Sequence, residues 1–184
     1  KVTDRLVRQF AFLNEADRLK SVNRANVLMD GSRPENTAEH SWHLGLWALV
    51  MADLAPEVDL PRVIAMLALH DLPEIDCGDH PIHLEHDADH VARVEQEAAR
   101  RIFGLLPDDL GMEFLDLWHE FEASLTPEAQ FAKRLDHSQP IFQVLMAEAP
   151  LPDHLQVARD NLSSGRAARF SHEWPEVHAL ASDW

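Results

Sequence analysis

Apolar residues in this chain recur at the three-and-four spacing of a helix almost from end to end. No run of alternating β-branched residues is present, no Asn-Gly turn separates two such runs, and tyrosine is absent. An all-α fold is the expectation. Residues 4–20 place Leu6, Phe10, Leu13 and Ala16 on one helical face, and the polar stretch from Val22 to Glu35, with Gly31 and Pro34, reads as a loop. Asn36 followed three residues later by Glu39 is a capping box for a helix over 37–54. That helix is apolar on most faces (Leu44, Leu46, Trp47, Leu49, Val50), which predicts a central, buried element.

Proline and glycine punctuate the rest. Pro61 suits the first turn of a helix over 61–72, and Pro73 should end or kink it just after Asp71. Residues 73–86, rich in Asp, His and Pro, read as irregular. A helix from about Asp87 to Phe103 stops at Gly104, and Pro107 opens another to about Phe121. Thr126-Pro127-Glu128 starts the helix that carries Asp136, and Pro140 should kink it near that residue. The tail 152–184 reads as short helices broken at Gly165 and Pro175. Trp42, Trp47, Met51 and Met66 are expected in the core, and Trp118, Trp174 and Trp184 at a subunit contact.

On this helical frame the chemistry-bearing feature is His70-Asp71, with His40 before it and Asp136 after. Two imidazoles and two carboxylates suit borderline and hard divalent ions and leave positions for water. Helical bundles build metal sites from ligands on several helices, and the helix-end placement of His40 and His70-Asp71 would leave one side of an ion open. One ion such as Mn²⁺, Co²⁺, Fe²⁺ or Mg²⁺ is expected, Mg²⁺ being less natural with two nitrogens. Glu74 lies three and four residues beyond two of the ligands, near enough to share their water.

Composition narrows the partners. With 184 residues the chain has room for one domain with a sizeable core. A formal charge of −16 argues against a nucleic-acid polymer, which needs a basic face, but not against a small phosphate ester. The longest apolar run, Leu44 to Met51, is too short to span a bilayer, no secretory signal is visible, and a single cysteine, Cys77, makes the cytoplasm the default.

Four blocks in order resemble the HD-domain metal-dependent phosphohydrolases, and more closely the branch of 5′-deoxynucleotidases and oxetanocin-like proteins. They are Leu19 to Arg24; Arg33-Pro34-Glu35-Asn36-Thr37-Ala38-Glu39-His40-Ser41; His70-Asp71-Leu72-Pro73-Glu74 with Gly78-Asp79-His80-Pro81; and Phe131 to Asp136. The resemblance implies one helical HD domain over 1–184, with a core of about 36–140 onto which helix 4–20 and the tail 152–184 pack. It implies His40, His70, Asp71 and Asp136 as ligands of one divalent ion, Glu74 as the acid/base handling the attacking water, and Asp79 as a neighbour contacting water or the sugar. Arg24 matches an arginine that contacts phosphate or ribose. The implied reaction is hydrolysis of a nucleoside 5′-monophosphate, a deoxyribonucleotide in particular, and relatives suggest a homodimer. The match departs at Ala25, where some relatives carry a tryptophan packed against the sugar.

Blander readings stand beside these. Arg24 and Arg33 are candidates for phosphate, or for pairing with Glu35 and Glu39; Lys133, on the side of Asp136, binds substrate or is simply solvated; Glu39 is a cap rather than a catalyst. His80, His83, His86 and His90 could hold a second ion, as in dinuclear HD oxygenases and cyclic-nucleotide phosphodiesterases, or be merely polar. A nucleotide-binding regulator is the remaining alternative, against which the intact Glu74 and Asp79 argue.

Overall fold

A computed structural model of the chain describes residues 1–79 and 87–184. Helix α1 (Asp4–Ala16), capped by the Thr3 hydroxyl on the Leu6 N–H, runs into a 3₁₀ turn at Asp17–Ser21. Two strands follow, β1 (Asn23–Val27) and β2 (Pro34–Asn36), then α2 (Thr37–Val50), α3 (Leu60–Leu69) and a single turn, α4 (Glu74–Cys77). Beyond these come α5 (Ala88–Phe103), α6 (Asp108–Ala123), α7 (Pro127–Leu145), α8 (Pro152–Ser163), α9 (Phe170–Glu173) and α10 (Pro175–Ser182).

The stretch expected as a loop contains an antiparallel hairpin, with Asn23 opposite Asn36 and Val27 opposite Pro34 and a register irregularity between. Its turn explains how: Asp30 accepts the Ser32 N–H, Gly31 takes φ +73°, and Leu28 N–H bonds the Arg33 carbonyl. Strands this short carry no alternation to read. The capping box at Asn36 is present in both directions, and Thr37 N–H donates to the Val22 carbonyl, so the hairpin is tied to the start of α2.

Helices α2, α3 and α7 pack on one another through Leu44, Ala48, Val63, Met66, Leu67 and Leu135, and α6 closes the other side of α3 with Phe121. The tail seats Trp174 against Phe131, with Phe170 packed edge-on against Trp174. Two expectations about side chains fail. Helix α2 is not buried all round: Trp42 is 66% exposed and Val50 73%, with Leu46 and Leu49 beside them. Trp118 and Trp174 belong to the core rather than to a subunit contact; Trp184 alone of that trio is exposed. A helix with apolar residues on every face still has only the neighbours its packing provides.

The break between α3 and α4 lies at a proline, whereas Pro140 does not interrupt its helix. Helix α3 ends at Leu69, and Pro73, which has no N–H to satisfy, stands at the cap of α4, whose first N–H, that of Glu74, bonds the Asp71 carbonyl. Helix α7 runs through Pro140 to Leu145. Of the four-histidine cluster, His80, His83 and His86 lie outside the described residues, and His90 sits in the first turn of α5.

Candidate metal centre

Three helices deliver four donor atoms to one point. His40 comes from the first turn of α2 and is fully buried; His70 and Asp71 follow the end of α3; Asp136 projects from the middle of α7. One ligand atom from each lies within 4.8 Å of all the others. His40 Nε2 is 2.9 Å from Asp136 Oδ1, and His70 Nε2 is 3.1 Å from Asp71 Oδ2 and 3.4 Å from Asp136 Oδ1.

The local folding holds His70 in one tautomer. Its Nδ1 lies 2.7 Å from the Leu67 carbonyl, an acceptor only, so Nδ1 carries a proton there. The His70 carbonyl accepts the indole N–H of Trp118 at 3.1 Å, which fixes the backbone at the helix end. His70 Nε2 is thereby left buried with no hydrogen-bond partner, facing two carboxylates. A buried lone pair without a donor and two carboxylates without a counter-charge are what a divalent cation satisfies, so the donor set fits one.

The electrostatics of the metal-free cluster agree. Burial opposes a charged His70, but Asp71 and Asp136 outweigh it and raise its pKa well above the ordinary value. Burial likewise opposes ionised Asp136, which His70 and His40 nevertheless hold well below the usual carboxylate range.

Glu74, at the start of α4, accepts the Thr37 hydroxyl at 2.9 Å. Burial, with the charges of Asp71 and Asp79, pushes its pKa up to about 9; positive charge among the ligand atoms would act in the opposite direction. Arg24 reaches in from β1. Its Nε is 3.2 Å from buried Glu35 Oε1, and its Nη1 is 3.7 Å from Asp71 and 3.8 Å from Asp79. Asp79 accepts the Ala25 N–H at 3.3 Å, joining the second residue after α4 to the hairpin.

These groups open on a cavity of about 500 Å³, whose walls include Arg24, Asp71, Glu74, Asp79, Lys133 and Asp136. Lys133 lies 5.0 Å above the Phe121 ring and donates to the Glu122 carbonyl. Arg33 is not part of this wall: it is exposed outside, paired with the capping carboxylate of Glu39. The lining also includes apolar side chains, Val91 from α5, Ile141 and Val144 from α7 and Val157 from α8, interspersed with the polar His137, His154, Asn161 and Arg166. Two acids in the wall also face unusual surroundings: burial, with Glu122 and Asp71 nearby, lifts Glu95 to about 7, and burial raises Glu122.

Several participants escaped the sequence reading. Thr37 and Glu35 sit inside the recognised motif, but nothing in it says that one meets Glu74 and the other backs Arg24. Gln139, three residues after Asp136, bonds His40 Nδ1 at 3.0 Å; only its helical spacing hinted at that. Among the described residues, His40, His70, Asp71 and Asp136 form the one group with metal-site geometry.

The family model described as HD domain matches residues 16–178. The human protein named 5′-deoxynucleotidase HDDC2 is 30% identical over 173 residues, covering 94% of this chain and 82% of its own, and its mouse counterpart is 32% identical over 175 residues, covering 94% and 84%. The crystal structure of a predicted metal-dependent phosphohydrolase from Magnetospirillum magnetotacticum MS-1 superposes with a TM-score of 0.82 at 37% identity, covering 98% of this chain and 97% of that one.

Proposed function

The chain belongs to the HD-domain family, and on that premise we propose that it hydrolyses nucleoside 5′-monophosphates, deoxyribonucleotides in particular, to nucleoside and inorganic phosphate. The observation that carries this reading is the shared cavity: Asp71 and Asp136 of the ligand cluster, the Glu74 carboxyl and the Arg24 guanidinium all border one space of about 500 Å³, a size suited to a small-molecule substrate.

His40, His70, Asp71 and Asp136 would hold one divalent ion, which supplies a more acidic water and polarises a phosphoryl oxygen. Glu74 takes the proton of the attacking water, and the Thr37 hydroxyl keeps its carboxyl aimed. Arg24, steadied by Glu35, meets the phosphate or the ribose as a fixed cation, and Lys133 adds a second positive charge in the same wall. Asp79, tied to the Ala25 N–H, orients the sugar or the water. The small Ala25 leaves room beside the sugar, and the mixed lining of Val91, Ile141, Val144 and Val157 with His154 and Asn161 suits a base, which has apolar faces and polar edges. Arg33 has no part in this scheme.

The chain acts as one HD domain over 1–184, with helix 4–20 and the tail 152–184 packed on a core of about 36–140. The exposed apolar row Trp42, Leu46, Leu49 and Val50 supports a homodimer. The single cysteine supports a cytoplasmic setting, and the charge of −16 disfavours a nucleic-acid polymer as partner. No described helix is long and apolar enough to cross a membrane.

The test is a panel of divalent ions added to metal-free protein with ribo- and deoxyribonucleoside monophosphates, inorganic phosphate being the readout. Phosphate release with one ion bound per chain is expected. No release with any ion would overturn the reading.

A further inference from the structure

Two glutamines that are not among the cavity's lining residues connect His40 to the hairpin. We propose that Gln139 and Gln143 are positioning residues which, anchored on the Val27 backbone carbonyl, set the tautomer in which His40 presents itself to the metal; the inference rests on the metal-site reading above.

The direction of every bond in this chain follows from its far end. A backbone carbonyl can only accept, so the Gln143 group lying 2.8 Å from the Val27 oxygen is the amide nitrogen. That orientation turns Gln143 Oε1 toward Gln139, whose amide nitrogen donates to it at 2.7 Å. Gln139 Oε1 is then the atom 3.0 Å from His40 Nδ1, and an amide oxygen has no proton to give. His40 Nδ1 therefore carries the proton, and the Nε2 lone pair faces the ligand cluster. The remaining N–H of Gln139 points at His43 Nδ1, 3.4 Å away, which accepts.

Flipping any amide in the relay would set two acceptors, or two donors, against each other. His40, Gln139 and Gln143 are all buried, so water is not at hand to relieve such a mismatch. The two histidines of the site thus obtain the same tautomer by different routes. His70 donates directly to the carbonyl of Leu67, whereas His40 reaches a carbonyl only through two side chains and across to β1. The strand that ends the relay also carries Arg24, so hairpin and ligand are braced together.

A neutral amide acceptor leaves the imidazole less electron-rich than a carboxylate would. Replacing Gln139 with an isosteric apolar side chain removes the acceptor, and loss of an outer partner of a metal-ligating histidine typically costs about 10–100-fold in metal affinity.

The experiment measures Zn²⁺ affinity by competition with a chromogenic chelator for the wild type, Gln139→Leu, Gln139→Glu, Gln143→Leu and His40→Ala. The melting temperature of each metal-free protein is taken as a folding control, and histidine ¹⁵N spectra are recorded on the zinc-loaded wild type. Gln139→Leu should lose about 10–100-fold, and Gln143→Leu should lose about threefold or more as the Gln139 amide is freed to turn. Gln139→Glu, which keeps an acceptor for His40 but sets a carboxylate oxygen against Gln143 Oε1, should lose less affinity than Gln139→Leu. The spectra should show His40 protonated at Nδ1. A folded Gln139→Leu that binds as the wild type does, while His40→Ala loses the metal, overturns the relay alone, as does a His40 protonated at Nε2. Zinc affinity unchanged in His40→Ala overturns the metal-site reading instead. If Gln139→Leu does not fold, Gln143→Leu and the wild-type spectra decide.

Discussion

Asp71 Oδ2 lies 3.1 Å from His70 Nε2, although the two residues are neighbours in the chain and would point about 100° apart on a continuous helix. They meet at the end of α3, where His70 still keeps a helical backbone (φ −59°, ψ −36°) and Pro73 prevents the helix from continuing.

Removing either partner of that pair should empty the site. His70→Ala or Asp71→Ala is expected to lose bound metal and phosphate release together, the activity by at least about a hundredfold. Metal content per chain and phosphate release on the same preparations check this; retained activity would exclude the site.

Glu74 should separate from the ligands. Glu74→Gln keeps the Thr37 hydroxyl within reach and leaves the four donor atoms in place, so metal content should stay at the wild-type level. Turnover should fall by about 10²–10⁴-fold, the usual contribution of a positioned general base. A wild-type rate in the metal-loaded variant refutes the assigned role.

Acid should release the metal. In the metal-free protein the pKa of His70 is raised well above its ordinary value by Asp71 and Asp136 against the cost of burial, so a proton competes with the cation for Nε2. Affinity therefore rises with pH and falls toward acid, and activity at limiting metal falls with it between pH 8 and 5. Isothermal titration with Zn²⁺ across that range is the check, and a flat profile contradicts it.

Glu95 should make the cavity wall pH-sensitive. Its folded pKa of about 7 stands above the ordinary 4.5, so between these values the folded chain binds more protons than the unfolded one. Stability then decreases as pH rises through that window. Glu95→Gln should stabilise the protein by on the order of 1–2 kcal/mol at pH 8, discounted for partial exposure, with the gain shrinking toward pH 5. Urea unfolding of both proteins at the two pH values measures it; an equal gain at both would show that charge burial is not the cause.

What could be read without coordinates was local. The Asn36–Glu39 box, the Thr126 cap, the stop at Gly104 and the break at Pro73 each depend on residues within about a turn of one another, and each is found where the chain spells it. Donor type and order along the chain singled out His40, His70, Asp71 and Asp136, whose ligand atoms do come together. The hairpin of 23–36 went unread because strands of five and three residues leave no periodicity.

The rest was decided by packing. Nothing local tells Arg24, which enters the cavity, from Arg33, which stays outside on Glu39; the turn at Gly31 separates them. Nothing local says that the Trp42 face of α2 is exposed while the His40 face is buried, or that Gln139 stands behind His40 across 99 residues of chain. Caps and breaks are set by hydrogen bonds between near neighbours, so the sequence by itself determines them. Which side chains share a cavity depends on how α2, α3 and α7 lie against each other, and only the closely packed tertiary structure sets that.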